Sequence, residues 1–450
     1  MTTRAALLVL LAGLIPVCSA AQTAPPLASA PRDPAIAAMV AAVDAGHLRS
    51  NDDTLVGFYT RNDFSELTST KTRGVFAARD WIVAQFQKIA ATSGGRMTVR
   101  LDTYLQPKTA RTPRSVTESS VIATLKGDEP GPIFVMSSHY DDCNGDCTNG
   151  TRMAPGADDN GSGTSAVLEA ARVMAPHHFR GTIVFATFDG EELGLWGSQH
   201  FADELKAAGT VVAADLNDDI IGNSTGGNGA HEPHVVRVFS EALPAGADLK
   251  RVNALGSESD SPSREVARYV DTVIPQYVEG LRVRQIFRAD RFLRGGDQES
   301  FQADGYPAIR FVEPNENFTH QHQNVRVENG VQFGDLLPYI DFDYMATVTR
   351  ANVAALASLA LAPLPPSDAQ TVMKHLGYDV TLRWKPSAGA TSYEIVWRAS
   401  DAPLWQHSKD VGNVTTATLP LSKDDSIIGV RSVGANGLRS VVSYPMPVRE

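Results

Sequence analysis

The chain has few cysteines and aromatic residues, no excess of basic residues and no apolar stretch of membrane-spanning length. Three cysteines in 450 residues exclude a small disulfide-stabilised scaffold. A net charge of −11, from 40 Lys and Arg against 51 Asp and Glu, argues against a nucleic-acid partner. No apolar run reaches the roughly 20 residues that cross a bilayer. The length nevertheless suffices for one large folded domain and a smaller second one.

A short apolar run lies near the amino terminus. Arg4 precedes apolar residues 5–17, and small residues follow at a cleavage position. This pattern is typical of a bacterial-style secretory signal peptide, so residues 1–21 are expected to direct export and the protein to be secreted or periplasmic. Cys18 leaves a lipoprotein as an alternative, although the preceding Pro-Val pair suits lipid attachment poorly.

Composition divides the rest of the chain into four parts. Residues 22–34 are rich in Ala, Pro and Ser and are predicted to be a disordered leader. In residues 35–361, apolar strands alternate with helical patterns, which predicts an α/β domain with a mainly parallel central sheet and helices on both faces. Residues 362–368 form a Pro-rich linker, and residues 369–450 have the short alternating strands of a small all-β sandwich.

Acidic residues and histidines gather at the ends of the apolar runs in the α/β part, where strands would pass into loops. They are, in chain order, His139, Asp159, Glu191, Glu192, Asp219, and His320 or His322. Open α/β sheets place their sites at the carboxyl ends of parallel strands. The residue types are those of a hydrolytic site with two metal ions, in which a central aspartate bridges both cations.

Each of these residues has an ordinary structural explanation when it is taken alone. His139 suits the end of any strand, and the Glu191-Glu192 pair suits the start of a solvated helix, where the helix dipole favours negative charge. Asp159 and its neighbour suit a helix cap. Their occurrence together, each at a strand-to-loop or loop-to-helix junction, favours the metal site.

Four motifs closely resemble those of the secreted co-catalytic dizinc aminopeptidases, a superfamily that also holds glutamate carboxypeptidase and the transferrin receptor ectodomain. The resemblance covers roughly residues 44–361. The motifs H-x-D, D-x-x-S-G, E-E-x-G and N-x-D-(M/I)-I-G fall, in that order, on His139 to Asp141, Asp159 to Gly163, Glu191 to Gly194 and Asn217 to Gly222.

The resemblance implies two zinc ions per chain. One would be held by His139, Asp159 and Asp219, and the other by Asp159, Glu192 and a histidine near residue 320. Zinc is inferred from the family and the ligand types, and comparable sites accept cobalt or manganese.

The resemblance also assigns two catalytic roles. Glu191 would be the general base, since a carboxylate committed to zinc lacks the basicity that proton transfer requires. Asp141 would accept the second ring N–H of His139 and fix its tautomer. The expected activity is removal of amino-terminal residues from peptide or protein substrates with a free α-amino group, which could bind one zinc.

The last ligand departs from the family pattern, in which the histidine is followed four residues later by Asp and then Thr. Here His320 is followed by Asn324, and His322 by Arg326. His320 is the preferred ligand, because Asn324 nearly has the shape of the expected aspartate whereas Arg326 reverses its charge. His322 remains the alternative.

A second departure lies at residues 296–301, where Gln298 stands in place of a family histidine. This segment is expected to form pocket wall. Loops 221–232 and 289–302 are expected to line the substrate pocket, and their side-chain preference does not follow from the sequence.

Cys143 and Cys147 are the cysteines left after signal removal. Two cysteines alone make an incomplete zinc site, and an exported chain favours a disulfide between them. The disulfide would close a small loop beside the first metal-binding histidine.

The sandwich part resembles a fibronectin type III domain in its Trp384 strand and in the strand that carries Tyr393 and Trp397. It is expected to act as a spacer or stabiliser. Its alternative role is to bind a surface or partner, in which case Trp397 and Trp405 should be exposed.

Several other functions fit the same motifs. A carboxypeptidase would show an arginine patch for the substrate carboxylate, and a glutaminyl cyclase would hold a single zinc. A deacylase and a catalytically silent binding protein are further alternatives, although the intact Glu191 and ligand set argue against a silent protein.

Overall fold

The structure is a computed structural model that describes residues 25–373 and 377–449. The predicted signal peptide lies outside the described residues. No helix in the described ranges is long and apolar enough to cross a membrane.

Eight strands form the central sheet of the larger domain. They are β1 (Met97–Gln106), β2 (Val116–Leu125), β3 (Ile133–His139), β4 (Thr182–Phe188), β5 (Val212–Asp218), β6 (Val235–Phe239), β7 (Arg282–Ile286) and β8 (Ala308–Val312). Their spatial order is β1-β2-β4-β3-β5-β8-β6-β7. The central strands β4, β3, β5 and β8 are parallel, whereas β1, β2 and β6 run antiparallel to their neighbours β2, β4 and β8. The predicted mainly parallel sheet is confirmed.

Ten helices and several short 3-10 or π turns accompany the sheet within the described residues. The helices are α1 (Pro34–Ala41), α2 (Ala45–Gly57), α3 (Val75–Ala90), α4 (Gly163–Met174), α5 (Glu191–Gly194), α6 (Trp196–Ala207), α7 (Leu249–Leu255), α8 (Pro262–Tyr277), α9 (Gln298–Ala303) and α10 (Phe342–Leu361). The short turns cover Asp63–Thr68, Ala157–Ser162 and Leu337–Tyr339, and a ribbon of β9 (Arg326–Glu328) and β10 (Val331–Phe333) follows β8.

Apolar side chains form a core on each face of the sheet, as expected for helices on both faces. On one face, α10 packs against α1, α2, α4 and α8. On the other face, α6 and α9 cover the sheet through Phe188, Phe201 and Phe301, whose ring centroids are 5.9–6.4 Å apart. The parallel strands between these layers therefore end at one common edge.

The C-terminal part consists of two small sheets whose strands are mainly antiparallel. Its strands are β11 (Ser367–Met373), β12 (Val380–Lys385), β13 (Ala390–Ala399), β14 (His407–Gly412), β15 (Thr416–Leu419), β16 (Ser426–Gly434) and β17 (Met446–Arg449). The sheets have the orders β15-β12-β11-β17 and β14-β13-β16. Trp384 and Tyr393 pack between them with ring centroids 5.4 Å apart. The predicted all-β part is thus present.

The leader differs from its composition-based prediction. Residues 25–33 lie against the small β-domain, where the Leu27 N–H donates to the Gln406 carbonyl at 2.8 Å and the Ala28 N–H donates to Ser408 Oγ at 2.7 Å. Arg431 donates to the Ala28 carbonyl at 2.7 Å. A chain poor in large apolar side chains is ordered here because its backbone groups find partners on another domain, which composition does not reveal.

The two domains share a buried polar interface. Trp405 Nε1 donates to Glu265 on α8 at 2.8 Å, and Arg398 forms an ion pair with Asp260 at 2.7 Å. Trp397 and Trp405 are only 6% and 7% exposed. Burial of both tryptophans favours the stabilising role over a tryptophan-based binding surface.

Candidate active site

Three predicted site residues converge at the common edge of the parallel strands. His139 ends β3, Asp219 directly follows β5, and Asp159 lies in the turn before α4. His139 Nε2 is 3.4 Å from Asp159 Oδ1 and 3.6 Å from Asp219 Oδ1. All three side chains are buried. One group of predicted ligands is therefore assembled by strands that are remote in sequence.

A second group forms on the other side of Asp159. His322 Nε2 is 3.0 Å from Asp159 Oδ2 and 2.9 Å from Glu192 Oε2. Asp159 therefore turns one carboxylate oxygen toward His139 and the other toward His322. A single carboxylate that faces two histidines in this way can serve two metal positions.

His322, and not the preferred His320, lies beside Asp159 and Glu192, where the last ligand is expected. His320 Nε2 lies 3.1 Å from the Asn317 side-chain nitrogen, and its ring stacks on Tyr339 at 3.8 Å. Burial lowers the pKa of His320 to about 4. The left-handed backbone of His322 (φ 52°) is part of the turn that brings its ring to the site. The motif spacing gave no information on this turn.

The donor atoms and the spacing of the assembled side chains fit a metal ion. His139 Nε2, Asp219 Oδ1 and Glu192 Oε1 are buried and have no hydrogen-bond partner among the described residues. Tetrahedral zinc with bonds of about 2.0–2.2 Å places its ligand atoms roughly 3.3–3.6 Å apart. The separations around His139 match this range and those around His322 are slightly shorter. Nitrogen and carboxylate donors of this kind suit zinc.

Glu191 lies beside both groups without belonging to either expected ligand set. It is half-buried, and one of its carboxylate oxygens lies within 4.8 Å of ligand atoms from His139 and Asp219. Burial raises the pKa of Glu191 well above its usual value. A carboxylate that is close to the metal positions and open to the cavity is well placed to exchange protons with substrate or water.

Asp141 holds the backbone of α5 as well as contacting His139. Its two carboxylate oxygens accept the backbone N–H groups of Glu191 at 3.2 Å and Glu192 at 3.1 Å. His139 Nδ1 is 3.2 Å from the Asp141 carbonyl and 3.4 Å from its carboxylate. The structure therefore gives Asp141 a positioning role toward both glutamates in addition to the expected one.

Arg310 is a site residue that the sequence analysis did not identify. It is fully buried on β8, and its guanidinium lies 2.8 Å from Asp219 Oδ2 and 2.8 Å from Asp290 Oδ2. Gln298 donates to the same Asp290 oxygen at 2.8 Å. The sequence did contain an indication of this role, because Arg310 lies within an apolar strand. A guanidinium that is buried there needs carboxylate partners.

Asp335 is a second residue that the sequence analysis missed. It lies after β10, and its carboxylate accepts the backbone N–H of Asp159 at 2.7 Å and that of Asp158 at 2.9 Å. It thereby fixes the turn that carries the central ligand. No local pattern indicated this contact, because the two partners are 176 residues apart.

A cavity of about 570 Å³ opens onto the assembled side chains. Its lining residues are Arg111, Asp159, Glu191, Glu192, Gly194, Leu195, Asp219, Arg291, Leu293, Arg294, Gly295, Glu299 and His322. The expected loop 289–302 contributes to this wall, whereas loop 221–232 does not. Gln298 lies behind the wall and is completely buried.

A disulfide joins Cys143 to Cys147 beside the site, as expected, with Cα atoms 4.7 Å apart. Cys143 Sγ lies within 4.8 Å of ligand atoms from Glu192 and His322. Because the sulfur is bonded to Cys147, it shapes the edge of the site and is not a free thiolate ligand.

Comparisons with known proteins agree with this geometry. Peptidase family M28 matches residues 120–327. The chain is 44% identical to a probable zinc metalloprotease of Pyrenophora tritici-repentis, over 93% of this chain and 88% of that protein. It is 43% identical to a probable zinc metalloprotease of Pyricularia oryzae, over 92% of this chain and 85% of that protein.

Solved structures share the fold. The LapA aminopeptidase of Legionella pneumophila superposes with a TM-score of 0.52 at 20% identity, over 72% of this chain and 74% of that one. An aminopeptidase from Aneurinibacillus superposes with a TM-score of 0.50 at 16% identity, over 72% of this chain and 96% of that one. The two relatives above match nearly the whole chain at more than 40% identity, and the predicted site residues meet at one edge of the sheet. The chain therefore belongs to peptidase family M28, and it is a metallopeptidase.

Proposed function

We propose that the protein is an exported zinc aminopeptidase with two metal ions per chain. The observation that carries the proposal is the orientation of Asp159, whose two oxygens face His139 and His322 separately. A site for a single cation needs no carboxylate shared in this way. The curated relatives are named probable zinc metalloproteases, which supports zinc as the metal.

The proposed ligands form two sets around the shared aspartate. His139 and Asp219 would hold one zinc with Asp159, and His322 and Glu192 would hold the other. When bound, the two ions would supply a water of lowered pKa and polarise the scissile carbonyl. The second carboxylate oxygen of Asp219 pairs with Arg310, and this contact orients the first oxygen toward His139.

Glu191 is the proposed general base. Its carboxylate would accept a proton from the attacking water and return it to the leaving amine. The two N–H bonds to Asp141 hold the start of α5 and therefore fix where this carboxylate can lie. General base residues commonly contribute 10²–10⁴-fold to the rate.

The charge of the cavity supports recognition of a free amino terminus. Asp159, Glu191, Glu192 and Asp219 all contribute carboxylates to its lining. An α-ammonium group is attracted to such a surface, and its neutral amine form is a nitrogen donor that could bind one of the zinc ions. The modest volume of about 570 Å³ suits the end of a peptide better than an extended chain.

A carboxypeptidase is the second candidate, and one observation favours it. Arg111 lines the cavity, is exposed and forms no ion pair within the described ranges. Arg291 and Arg294 also line the cavity, but both pair with Glu316. Arg111 is thus the cation that could receive a substrate carboxylate.

The test compares aminoacyl anilides, their N-acetyl forms, and N-acetyl peptides with free or amidated carboxyl ends. Wild type should cleave only substrates with a free amine. Chelation should abolish this activity and zinc should restore it, with two zinc ions per chain by elemental analysis. Glu191→Gln should lower kcat by at least about 100-fold with the zinc content unchanged.

Arg111→Gln separates the two candidates. For an aminopeptidase, it should leave hydrolysis of aminoacyl anilides within about threefold of wild type. Cleavage of N-acetyl peptides that requires a free carboxyl end and is lost in Arg111→Gln would establish the carboxypeptidase instead. One zinc per chain in a fully active enzyme would refute the two-metal proposal.

Export is proposed from the amino-terminal sequence alone. The mature protein should be recovered outside the cytoplasm with an amino terminus near residue 22, as determined by terminal sequencing. We also propose that the small β-domain stabilises the peptidase domain through the interface around Trp405.

A further inference from the structure

Four buried carboxylates lie together behind α5, outside the lining of the active-site cavity. They belong to Asp63 before α3, Glu118 on β2, Asp141 after β3 and Asp189 after β4. Each of the four residues is at most 1% exposed. A cluster of acids alone does not establish a binding site, because buried carboxyl groups can share protons.

The geometry of the cluster fits a common cation. One oxygen each from Asp63, Asp141 and Asp189 lies within 4.8 Å of the other two. Calcium binds oxygen at 2.3–2.6 Å, so ligands on opposite sides of the ion are separated by roughly 4.6–5.2 Å. Three oxygens at this spacing can therefore reach one ion without a change of backbone.

Unpartnered oxygens supply the independent second observation. Both oxygens of Glu118, which is 0% exposed, lack a hydrogen-bond partner among residues 25–373 and 377–449, although its carboxylate faces Asp189. Both carboxylate oxygens of Asp63 and one of Asp189 are likewise buried without a hydrogen-bond partner in these ranges. Within the described ranges, no Lys or Arg forms an ion pair with any of the four acids. Five buried oxygens without donors are costly unless shared protons or a cation join them.

We propose that Asp63, Glu118, Asp141 and Asp189 bind a calcium ion. The donors are all carboxylate oxygens, which suit hard cations, whereas zinc prefers sites that include nitrogen or sulfur. Calcium fits better than magnesium, because magnesium retains several waters and the completely buried cluster leaves little room for them.

The position of the site gives the ion a role in the active site. Asp141 accepts the backbone N–H groups of Glu191 and Glu192 on its carboxylate. A cation on the remaining lone pairs of Asp141 holds that carboxylate in place. Calcium therefore supports the start of α5, which carries the general base, without contacting substrate.

The test measures calcium and zinc together in the full mature protein. Wild type is expressed with calcium present, saturated with zinc and dialysed against metal-free buffer before elemental analysis. We expect about one calcium per chain in wild type. The double variant Asp63→Asn, Glu118→Gln should contain none, while Asp53→Asn, which changes an exposed acid, should match wild type.

A second measurement needs no variant. Protein stripped with EGTA is returned to excess zinc and heated with or without 1 mM calcium. Calcium should raise the Tm of wild type by about 3 °C or more.

Three outcomes would overturn the proposal. One is wild type without calcium and without a calcium-dependent Tm, which would mean that the acids share protons. Another is equal calcium in wild type and the double variant, which would place the ion elsewhere. The third is a third zinc in place of calcium. Zinc stoichiometry in the same samples tests the active site separately.

Discussion

Arg310 provides a sharp test of the charge balance at the candidate active site. The guanidinium is 0% exposed and lies 2.8 Å from both Asp219 and Asp290. Asp290 keeps Arg291 and Gln298 as partners if Arg310 is removed. Among the described residues, Asp219 keeps only His139, so Arg310→Met leaves mainly one carboxylate buried without compensation.

The size of the effect follows from the separation of the charges. At 2.8 Å and an effective dielectric constant of 20, the attraction between guanidinium and carboxylate is about 6 kcal/mol. Part of this is offset by the desolvation of the arginine itself, and removal of one partner of a buried pair usually costs about 3–5 kcal/mol. We expect this loss for the metal-free protein.

Zinc should reduce that loss, because a cation on Asp219 Oδ1 replaces the missing positive charge. Arg310→Met is therefore expected to bind zinc more tightly than wild type, by at least about tenfold, or 1.4 kcal/mol. The measurement is denaturant unfolding with and without zinc, combined with zinc titration against a competing chelator.

Arg237→Met is the matched control for this experiment. Arg237 pairs with Glu316 at 2.7 Å on the same sheet but contacts no proposed zinc ligand. Its loss should lower the free energy of unfolding equally with and without zinc. If Arg310→Met also lowers the free energy of unfolding equally with and without zinc, Asp219 does not bind the metal and the reasoning fails.

Three further predictions concern the last ligand and the domain interface. His322→Ala should lower the zinc content from two toward one and kcat by more than about 100-fold, whereas His320→Ala should keep both zincs; the reverse result would restore the sequence-based choice. Trp405→Phe should lower the free energy of unfolding by about 1–3 kcal/mol, because it leaves a buried carboxyl oxygen of Glu265 without its donor. Burial raises the pKa of the Glu265 carboxyl from 4.5 to about 7. The folded state therefore binds this proton more tightly than the unfolded state does. The resulting contribution to the free energy of unfolding is complete below pH 4.5 and is lost as the pH rises through 7. Thermal unfolding of Glu265→Gln should therefore depend less on pH between 5 and 8 than that of wild type, and an unchanged dependence would contradict this assignment.

The central strands could be predicted from the sequence because their burial is encoded locally. Strands β3, β4, β5 and β8 are apolar runs bounded by turn residues, and the structure places all of them in the middle of the sheet. Strand β7 was not predicted. It carries two arginines and none of its residues is fully buried, so its sequence resembles a surface loop.

Single residues of the candidate site could likewise be predicted only where the local sequence encodes their position. His139 and Asp219 could be predicted because His139 ends its strand and Asp219 directly follows one. The last histidine depends on a turn with a left-handed residue at His322, and the positioning contact from Asp335 joins segments 176 residues apart. Neither feature leaves a periodic pattern in the sequence, so both require the folded chain.

Positioning of the ligands follows one principle at two places in the site. Asp141 accepts two successive backbone N–H groups at the start of α5, and Asp335 accepts two in the turn that carries Asp159. Each bound segment thus presents its carboxylates to the cavity while its backbone is held by a further buried carboxylate. This arrangement concentrates negative charge in a region that Arg310 alone cannot balance. The proposed metal ions would offset this charge, so metal binding and folding of this region should be thermodynamically linked.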